Sequence, residues 1–195
     1  MNNSFLYYKF YKPFGYLSQF TDEDGNPGLG RILNLPGDVY PVGRLDKDSE
    51  GLLLLTNDNA LKSKLLNPDE GHSRTYWVQV EGEITKEAIE QLNQPMLLRL
   101  KGKEYRTRKA KATIVSAPSL PDRDPPIRFR KIVPTSWMEI TLTEGKNRQV
   151  RRMTAKTGFP TLRLIRGAFG DIRLNSLQPG EIVPLSNNDF HLLKT

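Results

Sequence analysis

The sequence contains no cysteine and only two histidines, His72 and His191. The first absence excludes a disulfide framework and thiolate metal sites, and is compatible with an intracellular protein. Two distant histidines without a spaced ligand motif make a poor zinc site, so both read as surface residues. No apolar run approaches the ~20 residues needed to cross a bilayer. The aromatic N-terminal stretch, residues 1–16, is interrupted by Lys9, Lys12 and Pro13 before a signal-peptide core can form, so a cytoplasmic protein is expected. There is no glycine-rich phosphate loop, Walker lysine, dinucleotide fingerprint, internal repeat or low-complexity tract. With 195 residues the chain is long enough to bury a full core as one domain or two small lobes.

What is present is positive charge, unevenly placed. The formal net charge is +7, but residues 99–173 hold 19 Lys and Arg against 6 Asp and Glu, and the remainder holds 10 against 16. A local excess of this kind is the electrostatic footprint of a phosphate-binding surface. An idle basic surface would look the same from charge alone.

Strand-favouring aromatics at residues 5–11 end at the turn Lys12-Pro13-Phe14-Gly15, with a second short strand at 16–19 and a loop at 21–30. Residues 29–35 suit a brief helix. Thr56-Asn57-Asp58 offers cap residues for a helix over 59–66, ended by Asn67-Pro68. Residues 74–82 alternate, which places Tyr76 on the face of Val78 and Val80. Thr85 caps a helix to about residue 94. Strands at 96–100 and 110–115 are joined by a basic segment, 101–109. The proline-rich stretch 117–127 reads as a surface loop, followed by Arg128, Arg130 and Lys131 and by an alternating strand at 137–142. Residues 161–165 and 182–185 read as strands.

Two stretches carry chemistry. The first is Val42-Gly43-Arg44-Leu45-Asp46-Lys47-Asp48-Ser49-Glu50-Gly51, a glycine-bounded charged loop running into Leu52-Leu53-Leu54-Leu55, a run suited to a strand buried on both faces. Asp46, flanked by Arg44 and Lys47, should stay ionised and can serve as nucleophile or base, although most charged loops are merely solvated. The second is Glu144-Gly145-Lys146-Asn147-Arg148-Gln149-Val150-Arg151-Arg152-Met153. With Asn147 as N-cap, a helix over 148–157 stopped by Gly158 puts Arg148, Arg151 and Arg152 on one side. Cations near a helix N-terminus oppose its dipole, each by ~0.3–1 kcal/mol, which suggests an anion opposite them.

The stretch Pro41 through Asp58 closely resembles the signature of the RsuA-type pseudouridine synthases. Arg74-Thr75-Tyr76-Trp77-Val78 resembles that family's strand bearing the active-site tyrosine, with Arg74 where a lysine is commoner, and Gly145 through Met153 resembles its arginine helix. Leu162-Arg163-Leu164-Ile165-Arg166 and Leu177-Gln178-Pro179-Gly180-Glu181 resemble its closing elements, so the likeness runs from about Phe10 to Leu185. Pro125-Pro126-Ile127-Arg128, Pro134-Thr135-Ser136-Trp137 and residues 158–166 are most similar to its RluE branch, which modifies one uridine in the peptidyl-transferase region of large-subunit ribosomal RNA.

The resemblance implies a mixed α/β (α+β) fold: a bent, largely antiparallel sheet flanked by helices around a central cleft, with residues 1–195 forming a single catalytic domain, undivided or as two lobes either side of the cleft. Many members carry an N-terminal S4 RNA-binding domain; the sequence leaves no room for one before Phe5, so its absence is expected, with RNA recognition resting on the catalytic domain and its basic half. It further implies that Asp46 is the catalytic carboxylate, that Tyr76 stacks on the target base, and that Arg151 pairs with Asp46. Arg44, Lys146, Arg148, Arg152, Arg163 and Arg166 are the expected RNA contacts. The expected partner is large-subunit ribosomal RNA, met by a monomer with no cofactor, metal or membrane. Whether Asp46 attacks the sugar, attacks the base or removes the C2′ proton stays open. Two rivals are a non-catalytic RNA-binding assembly factor, which leaves Asp46 idle, and a carboxylate-metal nuclease, for which the acids around Asp46 make an unconvincing cluster.

Overall fold

The computed structural model describes residues 5–100, 102–127 and 133–194; Lys101, Arg128, Arg130 and Lys131 of the basic half lie outside them. In chain order come β1 (Tyr7–Lys12), β2 (Tyr40–Pro41), β3 (Glu50–Thr56), α1 (Asn59–Leu66), β4 (Arg74–Glu81), α2 (Lys86–Leu92), β5 (Leu97–Leu100) and β6 (Lys103–Arg106). They are followed by β7 (Lys111–Val115), β8 (Thr135–Leu142), α3 (Gln149–Lys156), β9 (Thr161–Phe169), β10 (Ile172–Arg173), β11 (Ile182–Pro184) and α4 (Asn187–Lys194). This is a mixed α/β fold. The chain forms two compact units, one running to His72 and resuming at Arg166, the other spanning Ser73–Ile165. Among the described residues no helix is long and apolar enough to cross a membrane.

In the first unit β1 pairs antiparallel with β3 on one side and with β11 on the other, in a register that sets Phe10 against Leu53 and Lys12 against Gly51. Every residue of β3 is buried, as four consecutive leucines require, since alternate side chains point to opposite faces and both must be covered. The turn after β3 is fixed by Asp58. Its Oδ1 accepts from the Leu61 N–H at 2.9 Å, capping α1, and its Oδ2 accepts from the Tyr7 hydroxyl at 2.9 Å. Burial, then the Asp58 carboxylate, push the Tyr7 phenol up to about 12, so it remains a donor. The C-terminal helix is tied to β1 by an ion pair, Lys9 to Asp189 at 3.0 Å, and by the rings of Tyr7 and Phe190, centred 4.6 Å apart.

In the second unit β4 pairs antiparallel with β8 along its whole length, and β7 covers the other edge of β8. One face carries Val78, Val80, Met138 and Ile140, packed with Ala88 and Leu92 of α2 and Val150 and Met153 of α3. Thr85 caps α2, its hydroxyl accepting from the Ala88 N–H at 3.2 Å. Asn93 then pins the helix to β7, donating to the Ala112 carbonyl at 3.2 Å and accepting from its N–H at 2.6 Å.

The departures from expectation are local. Residues 16–19 form no strand, and the helix foreseen at 29–35 is a single 3-10 turn at Leu29–Arg31. The basic segment 101–109 contains β6, which folds back on β5 as a hairpin with Gly102 at φ +79. β9 runs four residues beyond the expected Ile165, and β10 and α4 were not foreseen. His72 is half-buried with its ring stacked on Phe169, centroids 6.0 Å apart, whereas His191 is exposed as expected.

Because Asp58 serves a cap and a tyrosine at once, Asp58→Ala is expected to lower the unfolding free energy by about 2 kcal/mol in urea titration. Asp58→Asn, which keeps an oxygen acceptor for the cap, should lose less.

Candidate active site

Asp46 lies in the first unit, half-buried, with exposed Arg44 and Lys47 on either side of it. The backbone around it is fixed from several directions. The Ser18 hydroxyl accepts from the Leu45 N–H at 2.9 Å and donates to the Leu45 carbonyl at 2.8 Å, a reciprocal pair that holds the residue before Asp46. The Gly15 N–H donates to the Lys47 carbonyl at 2.9 Å, holding the residue after it. The Asp46 carbonyl itself accepts from the Ser49 N–H at 3.0 Å, closing a turn. The Lys47 ammonium reaches the Asn26 side chain, which ties the loop to the segment before β2.

Lys12 has no exposed surface, and its ammonium donates to the Pro13 carbonyl at 2.8 Å. Burial pushes it down to about 7, against the attraction of Glu50, Asp48 and Asp46 in that order, while Arg166 pushes it further down. A lysine from β1 is thus electrostatically coupled to three acids of the loop that bears Asp46. Arg166 is 3% exposed and donates from Nε to the Leu52 carbonyl at 2.7 Å, with its guanidinium 5.7 Å from the Phe169 ring centre.

The other residues singled out from the sequence belong to the second unit. Tyr76 faces Ile140 across the β4–β8 ladder and packs, partly buried, on the edge of the core. Arg151 is half-buried on α3, and its Nη1 donates to the Thr161 carbonyl at 3.3 Å. The Thr154 and Thr161 hydroxyls, 2.8 Å apart, reinforce that junction. Arg152 donates to the carbonyls of Asn147 at 3.3 Å and Arg99 at 3.0 Å, so its guanidinium ties α3 to the β5–β6 hairpin. Arg163 is buried and donates to the Pro121 carbonyl at 3.0 Å, anchoring the proline-rich loop.

Two expectations about α3 need correction. Asn147 does not cap it, and Arg148 is not on it: Arg148 occupies the N-cap position at φ +51, ψ +35, with no side-chain cap, and the helix begins at Gln149. The three arginines therefore do not share one helical face. The reason lies in the buried side chains of Glu144 and Gln149, which hold residues 145–148 as an exposed loop.

A profile of the RNA pseudouridylate synthase family matches residues 7–156. The chain belongs to that family. It is 50% identical over 172 residues to the ribosomal large subunit pseudouridine synthase E of Vibrio parahaemolyticus, covering 88% of this chain and 70% of that protein. It is 51% identical over 170 residues to the enzyme of the same name from Xanthomonas axonopodis pv. citri, covering 86% and 87%. Ribosomal large subunit pseudouridine synthase B of Bacillus subtilis is 33% identical, covering 97% of this chain and 71% of that one. The crystal structure of a pseudouridylate synthase superposes with a TM-score of 0.80 at 27% identity, covering 97% of this chain and 74% of that one.

An RNA pseudouridylate synthase is an isomerase, and within this one Ser18, Lys12, Glu144 and Gln149 are features that reading the sequence did not single out. Nothing local marks them: a serine between a glycine turn and a loop, or a lysine before Pro13, is ordinary until the fold buries it.

Lys12 also makes stability depend on pH in a definite direction. Its native value near 7 lies well below the 10.5 of the unfolded chain, so between those values the unfolded state binds the extra proton. Stability should therefore rise as pH increases from 7 towards 10, by up to ~1.4 kcal/mol per pH unit. Urea titrations over that range should show the rise in the wild type relative to Lys12→Met; parallel curves would contradict it.

Proposed function

We propose that the chain converts a uridine of large-subunit ribosomal RNA into pseudouridine, with Asp46 as the catalytic carboxylate, Arg151 as its ion-pair partner and Tyr76 stacked on the target base. The observation that carries the reading is the fixing of Asp46. The peptide groups of Leu45, Asp46 and Lys47 are all engaged, so the backbone that carries this half-buried carboxylate is held in one place. Pre-set geometry of this kind lowers a barrier by removing the entropy of finding the reacting arrangement. The substrate class comes from relatives about half identical to the chain that are named for the large ribosomal subunit.

The reaction breaks the bond from N1 to C1′ and forms one from C5 to C1′. The C5 proton is released and N1 gains one, so no electrons are exchanged and no group leaves the nucleotide. Asp46 serves this either by attack on the sugar or base or by removing the C2′ proton. Drawing the uridine out of its stack costs a few kcal/mol, which phosphate contacts along the basic half offset. Lys146 and Arg148 of that half are exposed and suited to those contacts, as is Arg44 outside it, and the half-buried Arg152 is assigned to the same role. Arg163 and Arg166, buried and bonded to backbone carbonyls, serve as scaffold in this reading.

The test is to map pseudouridine in ribosomal RNA from cells with and without the protein, then restore either wild type or Asp46→Asn. One large-subunit position should lose its modification without the protein and regain it only with the wild type. Purified Asp46→Asn should bind RNA with nearly unchanged affinity while its rate falls at least about 10³-fold. An RNA-binding factor without catalysis would leave every position modified in both strains.

A further inference from the structure

Glu144 is a carboxylate with 7% of its surface exposed, and it lies outside the set of residues given a part in the reaction above. A buried carboxylate is costly unless its oxygens are hydrogen-bonded, and both are. Oε2 accepts from the Tyr105 hydroxyl of β6. Oε1 accepts from the Arg108 N–H at 3.0 Å and from Gln149 Nε2 at 2.5 Å. Burial, then Glu144, push the Tyr105 phenol up to about 12, which keeps it a donor throughout the working range. Gln149, also buried, turns its other end back: its Oε1 accepts from the Lys146 N–H at 3.0 Å.

The effect is a side-chain bridge closing the base of the exposed loop 145–148. Within that loop the Lys146 ammonium lies 4.8 Å from the centre of the Tyr105 ring. Arg148, at φ +51, holds a left-handed backbone that is unfavourable for a non-glycine residue and persists only where neighbours over-determine it. The next residue, Gln149, both completes the bridge and opens α3, and Arg151 follows two positions later. The far end of the helix is tied to the same hairpin, Lys156 Nζ donating to the Leu97 carbonyl at 2.6 Å.

We propose that Glu144 is a positioning residue for the isomerisation: bridged to Tyr105 and Gln149, it sets the basic loop and the first turn of α3, and thereby aims Arg151. The inference rests on the role given to Arg151 above. It assigns Tyr105 a part in catalysis without contact with the nucleotide, acting through Glu144.

The test uses the full-length protein and a large-subunit RNA transcript tritiated at uridine C5, whose label is released to water as the C5 to C1′ bond forms. Glu144→Ala is expected to slow single-turnover release by up to about 10²-fold with enzyme in saturating excess, while RNA affinity by filter binding stays within about 3-fold. Glu144→Gln, whose carbonyl still accepts from Arg108 and Gln149, should recover most of the rate. Tyr105→Phe, which loses one hydroxyl and keeps the ring beside Lys146, should slow release about 5-fold; it decides the matter if Glu144→Ala does not fold. A wild-type rate in Glu144→Ala or Tyr105→Phe, a loss confined to RNA affinity, or a Glu144→Gln variant no faster than Glu144→Ala would each overturn the proposal. Asp46→Asn is run alongside: if it retains the wild-type rate, the reading of the active site has failed, whereas an inactive Asp46→Asn beside a fully active Glu144→Ala removes the positioning role alone.

Discussion

The reciprocal pair between Ser18 and the backbone of Leu45 is the contact on which the candidate site most depends. A loop rich in charge is normally mobile, because water satisfies its polar groups as well as protein does. Here one buried hydroxyl satisfies both the N–H and the carbonyl of the residue before Asp46, and Gly15 satisfies the residue after it. Lys12 adds a buried titratable amine coupled to Glu50, Asp48 and Asp46. The arrangement is consistent with chemistry that needs one carboxylate at a fixed place.

The second unit solves the same problem with a different buried group. Glu144 and Gln149 hold an exposed loop with three consecutive polar side chains, Lys146, Asn147 and Arg148, ahead of the helix that carries Arg151. In both units a polar side chain with almost no exposure stands behind a charged loop, and its cost of burial is offset by hydrogen bonds to that loop. The basic half of the sequence is therefore not uniformly a binding surface. Arg163 and Arg166 engage the carbonyls of Pro121 and Leu52, and Arg152 engages those of Asn147 and Arg99.

Elements whose signal is local were legible in the sequence. The leucine run gave β3, Asp58 and Thr85 gave the starts of α1 and α2, and alternation gave β4 and β8. What escaped reading depends on distant partners. β6 reads Lys-Glu-Tyr-Arg, with no apolar alternation, and exists because it pairs with β5 and its tyrosine reaches Glu144. Asn147 is a better cap by type than Arg148, but the bridge from Glu144 through Gln149 overrides that preference. Arg163 and Arg166, an odd number of positions apart, fall on opposite faces of β9; both faces of that strand are covered, and the arginines are buried with it. The loop around Asp46 was legible as a candidate from its glycines, charge and following strand, while the means of holding it, Ser18 and Lys12, was not.

The most direct measurement is a crystal structure of the protein bound to an RNA fragment that contains the uridine found by mapping. The expected result is a uridine withdrawn from its stack, with Tyr76 against its base, an Asp46 oxygen within about 3.5 Å of the reacting sugar or base, and the Arg151 guanidinium on that carboxylate. A bound uridine remote from Asp46, or an Arg151 engaged elsewhere while the nucleotide is in place, would contradict it.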